Sequence, residues 1–367
     1  MSDVDTLPEA DRVEGAPHPR ETTALFGQER AEAAFLAAWA GGRLHHAWLL
    51  TGPRGVGKAT LAWRLARALL STREPTDTLD AGPGDPLRKR LAALSESRLF
   101  LLRRAWDADA KRLKTVVTVD EVRRLRSFLA LSAADGGRRV VIVDAVDEMN
   151  TSAANALLKS LEEPPSDTVF LLVAQNPGAV LPTIRSRCRR LTLGPLEGAA
   201  MARALEGAGM ADVAGDAQAL GELAGGSVGE ALRIAAEDGL GLYAELVRLL
   251  SGAPRIDRPT LLGLALATAG RPAEGRYDLV LRLLDLLLTR LARQGSGHPP
   301  RAEAAAGEAD LLARLAPSPE AGRRWADLQA SLAARVRHAR AVNLDPPALI
   351  LDTVLKINET AAATSAR

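Results

Sequence analysis

The sequence predicts an α/β domain built on a parallel sheet with helices on both faces, then a small helical domain and a longer all-α domain. Three observations carry this. Apolar runs of strand length alternate with helical patterns up to residue 195: Ala47–Thr51, Phe100–Leu102, Val140–Asp144 and Val169–Ala174. Uniformly apolar strands are those buried on both faces of a parallel sheet. The run Gly52-Pro53-Arg54-Gly55-Val56-Gly57-Lys58 lies between a strand and a helical pattern, the setting a phosphate-binding loop requires. Beyond Leu193-Gly194-Pro195 the strand-like runs stop and helical periodicity takes over.

In chain order, residues 1–21 are polar and proline-bearing and read as a loose tail. A domain over 22–195 follows. Its first helical pattern runs to Trp39 and is ended by Gly41-Gly42. After the glycine loop, Leu61, Leu65, Leu69 and Leu70 fall at helical spacing. Residues 72–98, rich in Pro, Gly, Asp and Arg, read as an irregular insertion. Thr118, with Glu121 at capping-box spacing, starts a helix expected to reach Leu131, and Gly136-Gly137 turns the chain into the next strand. Residues 196–239 hold short helices broken by Gly225-Gly226-Ser227. Residues 240–360 are helical throughout, most clearly over Tyr277–Gln294, and 361–367 form a second loose tail.

Composition excludes several classes. The chain has 367 residues with 47 basic against 45 acidic side chains, so any nucleic-acid contact needs a local basic patch rather than net charge. One cysteine excludes an intrachain disulfide and multi-cysteine zinc sites. No apolar run is long enough to span a bilayer and no signal peptide is evident, which predicts a cytoplasmic protein with no membrane partner. Five phenylalanines and two tyrosines, against many alanines, fit a helix-rich chain.

The stretch from Arg139 to Arg190 organises the rest. Val140-Val141-Ile142-Val143 ends in Asp144, at the carboxyl end of a strand, where open α/β sheets place ligands. Asn150, Thr151 and Ser152 offer caps for a helix that Glu162-Glu163-Pro164-Pro165 stops. The next strand ends in Gln175-Asn176, and Ser186-Arg187-Cys188 follows. The helix sequence Leu-Leu-Lys-Ser-Leu-Glu-Glu-Pro-Pro together with Ser-Arg-Cys resembles the AAA+ subunits of clamp loaders, which open ring-shaped polymerase clamps and place them on DNA. Asn343-Leu344-Asp345-Pro346 resembles their collar, so the resemblance covers nearly the whole chain. It implies a sheet domain, a helical lid and a helical collar.

The resemblance assigns nucleotide contacts to Gly52, Gly55, Gly57, Lys58, Thr60, Asp144 and Asn176. Backbone N–H groups and the helix N-terminus would hold phosphates, with Lys58 adding a charge that an emptied turn would not need. Three departures then bear on hydrolysis. The magnesium-binding hydroxyl after the lysine is replaced by Ala59, and Thr60 is rotated about 100° from it. The glutamate that follows the strand's aspartate is replaced by Ala145; Asp147 and Glu148 lie further on and read as exposed acids at a helix start. The lid arginine is replaced by Gly229, with Arg233 a turn beyond. ATP binding with weak magnesium, no zinc and no intrinsic hydrolysis is the expectation.

Ser186-Arg187-Cys188 is intact, and in the family this arginine enters a neighbouring subunit's ATP site. The resemblance therefore implies a non-hydrolysing stator that supplies Arg187 in trans. Its partners would be gamma or tau motors and delta, and through the assembly the sliding clamp and primer–template DNA. The alternative is an ATP-hydrolysing motor of the gamma or tau kind; an unrelated P-loop kinase would need a substrate pocket and base that the sequence does not offer. Arg88-Lys89-Arg90 and Lys111-Arg112-Leu113-Lys114 read as solvated faces, Cys188 as a small buried residue, and His45-His46 as side chains pointing apart with no third metal ligand.

Overall fold

Five strands form one parallel sheet: β1 (Ala47–Thr51), β2 (Leu99–Arg103), β3 (Arg139–Asp144), β4 (Thr168–Ala174) and β5 (Arg189–Thr192), in the spatial order β2-β3-β4-β1-β5. The computed structural model describes residues 9, 12, 16–71, 78–79, 84–130, 137–270, 274–342 and 344–365. Leu131, Gly136, Asn343 and parts of the expected tails and of the 72–98 insertion lie outside the described residues. Thr51 is level with Ala174 on one side and Thr192 on the other, so the carboxyl ends of the central strands line up. The chain leaves β1 toward β2 and leaves β4 in the opposite direction, toward β5. The crevice between β1 and β4 is thus a topological switch point, where such sheets bind ligands.

Alternation along the strands divides the core between two faces. Ala47, Leu49, Val141, Val143, Phe170 and Leu172 pack with Val122 and Leu125 of the Val119–Ala130 helix and with Ala153, Leu157 and Leu161 of the Thr151–Glu162 helix. Trp48, of opposite parity, meets Phe35 of the Glu29–Ala40 helix with ring centroids 4.9 Å apart. Burying each of these large side chains stabilises by about 1.5–3 kcal/mol. The Lys58–Leu70 helix is buried nearly all round, and its two internal arginines are accommodated. Arg64 pairs with Glu32 at 2.8 Å and Arg67 donates to the Arg20 carbonyl at 3.3 Å.

Several local expectations change. β5 carries two exposed arginines and was not evident as a strand; its ladder with β1 holds it. Within the insertion, Pro86–Ala92 is a helix, because Asp85 caps it by accepting from Leu87 N–H and Pro86 sits at its first turn. Near the N-terminus, His18 is buried and Glu9 pairs with Arg20, at 2.8 Å, and with Arg103 of β2, at 2.7 Å, so these residues pack against the sheet edge. At the other end, the Pro346–Ser365 helix continues past residue 361, with Ala361 fully buried.

By Cα packing, residues 1–211 with Ser227–Gly229 form one unit, and Asp212–Gly226 with Glu230–Arg367 form a second. The second is helical: Gly239–Ser251, Arg258–Leu266, Glu274–Gly295, Glu308–Leu315, Pro319–Ala341 and Pro346–Ser365 are its main elements. At its centre Tyr243 Oη donates to Glu308 Oε1 at 2.6 Å, and Arg290 bridges Glu308, at 3.2 Å, and Glu222, at 2.9 Å. Glu308 and Tyr243 are fully buried, and the backbone completes the cluster: Glu308 Oε2 accepts from Ala304 N–H at 2.7 Å and Arg290 donates to the Ala302 carbonyl at 3.3 Å.

Candidate functional site

β1 delivers the chain into the glycine loop, and the backbone there needs its glycines. Gly52, Gly55 and Gly57 have φ of 143°, 76° and 100°, conformations that L side chains rarely adopt. Side chains would also have no room: at Gly52 one would meet the Leu193 carbonyl, at Gly57 Leu25, and at Gly55 Ser227 and Gly229. Gln28 holds the loop from behind, with Nε2 donating to the carbonyls of Val56, at 3.3 Å, and Gly194, at 2.8 Å. The helix that starts at Lys58 has Gly57 as its cap and so no side chain to satisfy its first N–H groups. Such an end attracts an anion.

Lys58 is buried, and its Nζ donates to the carbonyls of Gly52, at 2.8 Å, and Pro53, at 2.6 Å. Burial pushes its pKa down to about 8, against the attraction of Asp144 and Asp147. Asp144 ends β3 with 8% of its surface exposed, beside Val173 of β4. Ala59 occupies the position after the lysine, and Thr60 is half-buried on the same first turn. The loop backbone, Lys58 and the Asp144 carboxylate thus meet at the crevice, and no hydroxyl occupies the position after Lys58.

The Asp147 side chain is engaged by the backbone. Its carboxylate accepts from the backbone N–H groups of Gln175, at 3.1 Å, and Asn176, at 2.7 Å, tying the turn after β3 to the end of β4. Glu148 pairs with Arg104 at 2.6 Å. Both acids thus hold structure, which replaces the expectation of simple exposed acids. Asn176 lies at the exposed end of β4, and its Oδ1 accepts from Gly178 N–H at 3.1 Å. Gly229 reaches the loop through its backbone, its N–H donating to the Gly55 carbonyl at 3.1 Å, and presents no side chain there; Arg233 pairs with Glu230 at 2.8 Å.

Arg187 lies on a separate surface, one residue past the turn closing the Pro182–Arg185 helix. Its Nη1 donates to the Thr183 carbonyl at 3.0 Å and its Nη2 to Glu162 Oε1 at 2.8 Å. Cys188 packs against the sheet core, and burial pushes its thiol pKa up to about 12. His45 and His46 do not diverge: their rings stack with centroids 4.4 Å apart, His46 Nε2 bonding to the Leu161 carbonyl at 3.0 Å. Burial, then the neighbouring His45, lowers the His46 pKa. Gly52, Gly55, Gly57, Lys58, Thr60 and Asp144 come together at the crevice. Asn176 lies at its rim, and Arg187 stands apart. The sequence did not reveal Asp147 as the link between strand ends or Glu162 as the partner of Arg187, because neither pairing has a fixed spacing.

Residues 27–197 match the family described as DNA polymerase III, delta subunit. The delta' subunit of DNA polymerase III from Pseudomonas aeruginosa is 38% identical over 226 residues, covering 60% of this chain and 65% of that protein. The gamma/tau subunit from Mycobacterium bovis is 36% identical over 172 residues, covering 46% of this chain and 28% of that protein. The chain therefore spans less than two thirds of the length of these curated relatives. A crystal structure of a DNA polymerase III gamma subunit-related protein from Thermotoga maritima aligns over 88% of this chain and 95% of its own, with 18% identity and a TM-score of 0.35.

Proposed function

We propose that this chain, whose residues 27–197 match the family described as DNA polymerase III, delta subunit, is the delta prime stator of a clamp loader. It would work in the cytoplasm with gamma or tau motors and a delta subunit. Through the assembly it would act on a sliding clamp and primer–template DNA. Residues 196–239 would serve as lid and 240–360 as collar.

The observation that carries this reading is the contrast between its two candidate sites. At the crevice the position after Lys58 is Ala59, the position after Asp144 is Ala145, and the nearby acids Asp147 and Glu148 are engaged in holding strand ends and Arg104. ATP could bind through the N–H groups of the Gly52–Lys58 loop and Lys58, with Asp144 as the residue that would face magnesium. A bound metal would supply charge neutralisation between phosphate oxygens, and this chain offers it one carboxylate but no hydroxyl. Arg187, by contrast, is a partly exposed guanidinium held on a short helical turn, suited to stabilising charge on a neighbour's phosphates.

Clamp- and DNA-stimulated ATPase of the reconstituted loader, wild type against Arg187→Ala at equal complex concentration, tests the proposal. Loss of an arginine finger slows the site it serves by roughly 10³–10⁵, so turnover should fall with the complex intact. An unchanged rate would leave a scaffold without a catalytic contribution. The second reading, a motor of the gamma or tau kind, is favoured by the fully formed glycine loop with Lys58 in place. Steady-state hydrolysis by the purified chain would establish it.

A further inference from the structure

The end of the Thr151–Glu162 helix and the turn carrying Arg187 meet through side chains. Glu162 is the last residue of that helix and accepts from Arg187 Nη2 at 2.8 Å, while Nη1 is held by the Thr183 carbonyl at 3.0 Å. The residues on either side are fixed as well. Ser186 Oγ donates to the same Thr183 carbonyl at 3.1 Å, and Cys188 is packed on the core. The helix behind Glu162 starts at Asn150, whose side chain accepts from Ala153 N–H at 2.8 Å, directly after the turn that Asp147 ties to β4.

We propose that Glu162 is a positioning residue for Arg187, ordering the guanidinium before a neighbour's nucleotide reaches it. The proposal rests on the reading of Arg187 as a finger acting in trans. A guanidinium has five N–H donors in a planar fork, so engaging one hydrogen on each terminal nitrogen leaves donors for a phosphate. An untethered arginine must give up rotamer freedom when it meets the phosphate; one already held between Glu162 and Thr183 has lost part of it in advance. Glu162 therefore contributes to the rate through Arg187 and makes no phosphate contact itself. The side chains of the pair are 37% and 46% exposed, so their attraction is modest and screened by salt. That salt sensitivity is its signature.

The reconstituted loader is assayed with Glu162→Ala, Glu162→Gln, Glu162→Asp, Arg187→Ala and the Glu162→Ala/Arg187→Ala pair, after gel filtration has shown each complex to be whole. Glu162→Ala should lower kcat about two- to fivefold, the range expected of an exposed ion pair, with KM for ATP unchanged. Glu162→Gln should fall less, and Glu162→Asp should recover part of the loss. The gap between wild type and Glu162→Ala should close as salt is raised. In the Arg187→Ala background, Glu162→Ala should add nothing. If Arg187→Ala lowers kcat while Glu162→Ala leaves it unchanged or raises it, the positioning role is overturned and the finger stands. If Arg187→Ala itself changes nothing, the finger reading falls. Should the alanine variant fail to assemble, the near-isosteric Glu162→Gln decides the question by the same split between kcat and KM.

Discussion

Asp147 accepts a hydrogen bond from the backbone N–H of Asn176 at 2.7 Å, so the turn after β3 and the end of β4 are joined at the mouth of the crevice. A carboxylate bonded to two backbone N–H groups is a charge-assisted contact. Asp147→Ala should lower stability by about 1–2 kcal/mol, read from the urea midpoint. Asp147→Asn, which keeps an acceptor, should lose less. An unchanged midpoint would mean that water replaces the carboxylate. Asp147→Ala also removes a charge that favours protonated Lys58, so the lysine should titrate lower still.

Lys58 gives a pH signature with a definite sign. Burial depresses its folded pKa to about 8, from an ordinary 10.5. Between these values the unfolded chain binds more protons than the folded one, so stability rises with pH across that window; below it, the cost of burying the ammonium is fully present. Relative to Lys58→Met, the wild type should gain stability from about pH 8 to 10.5, measured as the difference between their denaturation midpoints. An equal pH dependence of the two would refute the burial.

Nucleotide binding should run the other way. A phosphate beside Lys58 favours the protonated amine, so ATP affinity should weaken by up to about tenfold between pH 7 and 9. Fluorescence titration with a labelled ATP analogue checks this, and Lys58→Met should lose both affinity and pH dependence. A wild-type affinity flat over the range would mean that Lys58 stays on the Gly52 and Pro53 carbonyls when nucleotide is bound.

Cys188 should resist alkylation. With its thiol pushed up to about 12, the reactive thiolate is scarce at neutral pH. Iodoacetamide should label the folded protein far more slowly than the urea-unfolded chain. Comparable rates would show the turn beneath Arg187 to be open.

In the helical unit, Glu308→Ala should cost about 3–5 kcal/mol, because it strands the buried Arg290 charge and the Tyr243 hydroxyl. Burial, then the negative charge of Glu308 beside it, drives the Tyr243 pKa upward. Thermal unfolding followed by circular dichroism measures the loss; a small shift would indicate that Glu222 and the Ala302 carbonyl suffice for Arg290.

Much of the sheet domain was legible because its signals are local. β1, β3 and β4 are apolar runs, the glycine loop has its spacing, and the Thr118–Glu121 box forms as expected, with Thr118 N–H donating to Glu121 at 3.0 Å. The rest depends on pairings that only the fold creates. β5 reads Arg-Arg-Leu-Thr and becomes a strand by lying beside β1. Asp147 looked like a spare acid because its partners are backbone groups 28 and 29 residues away. The stacking of His45 on His46 escaped notice because alternation along a strand argues that neighbours diverge, and these two precede β1 rather than lying within it.

The position of β1 has a consequence for synthesis. It is the first strand made, yet both of its neighbours, β4 and β5, come from residues 168–192. At about 5–20 residues per second, the ribosome leaves Trp48, Leu49 and Leu50 without their sheet partners for roughly 10 s. Gln28 waits longer, since its Gly194 carbonyl is made later still. The nascent chain thus carries a sticky apolar segment through most of the translation of this domain. Its yield in a cell should depend on early packing of the Glu29–Ala40 and Lys58–Leu70 helices and on chaperone cover, even where the finished fold is stable.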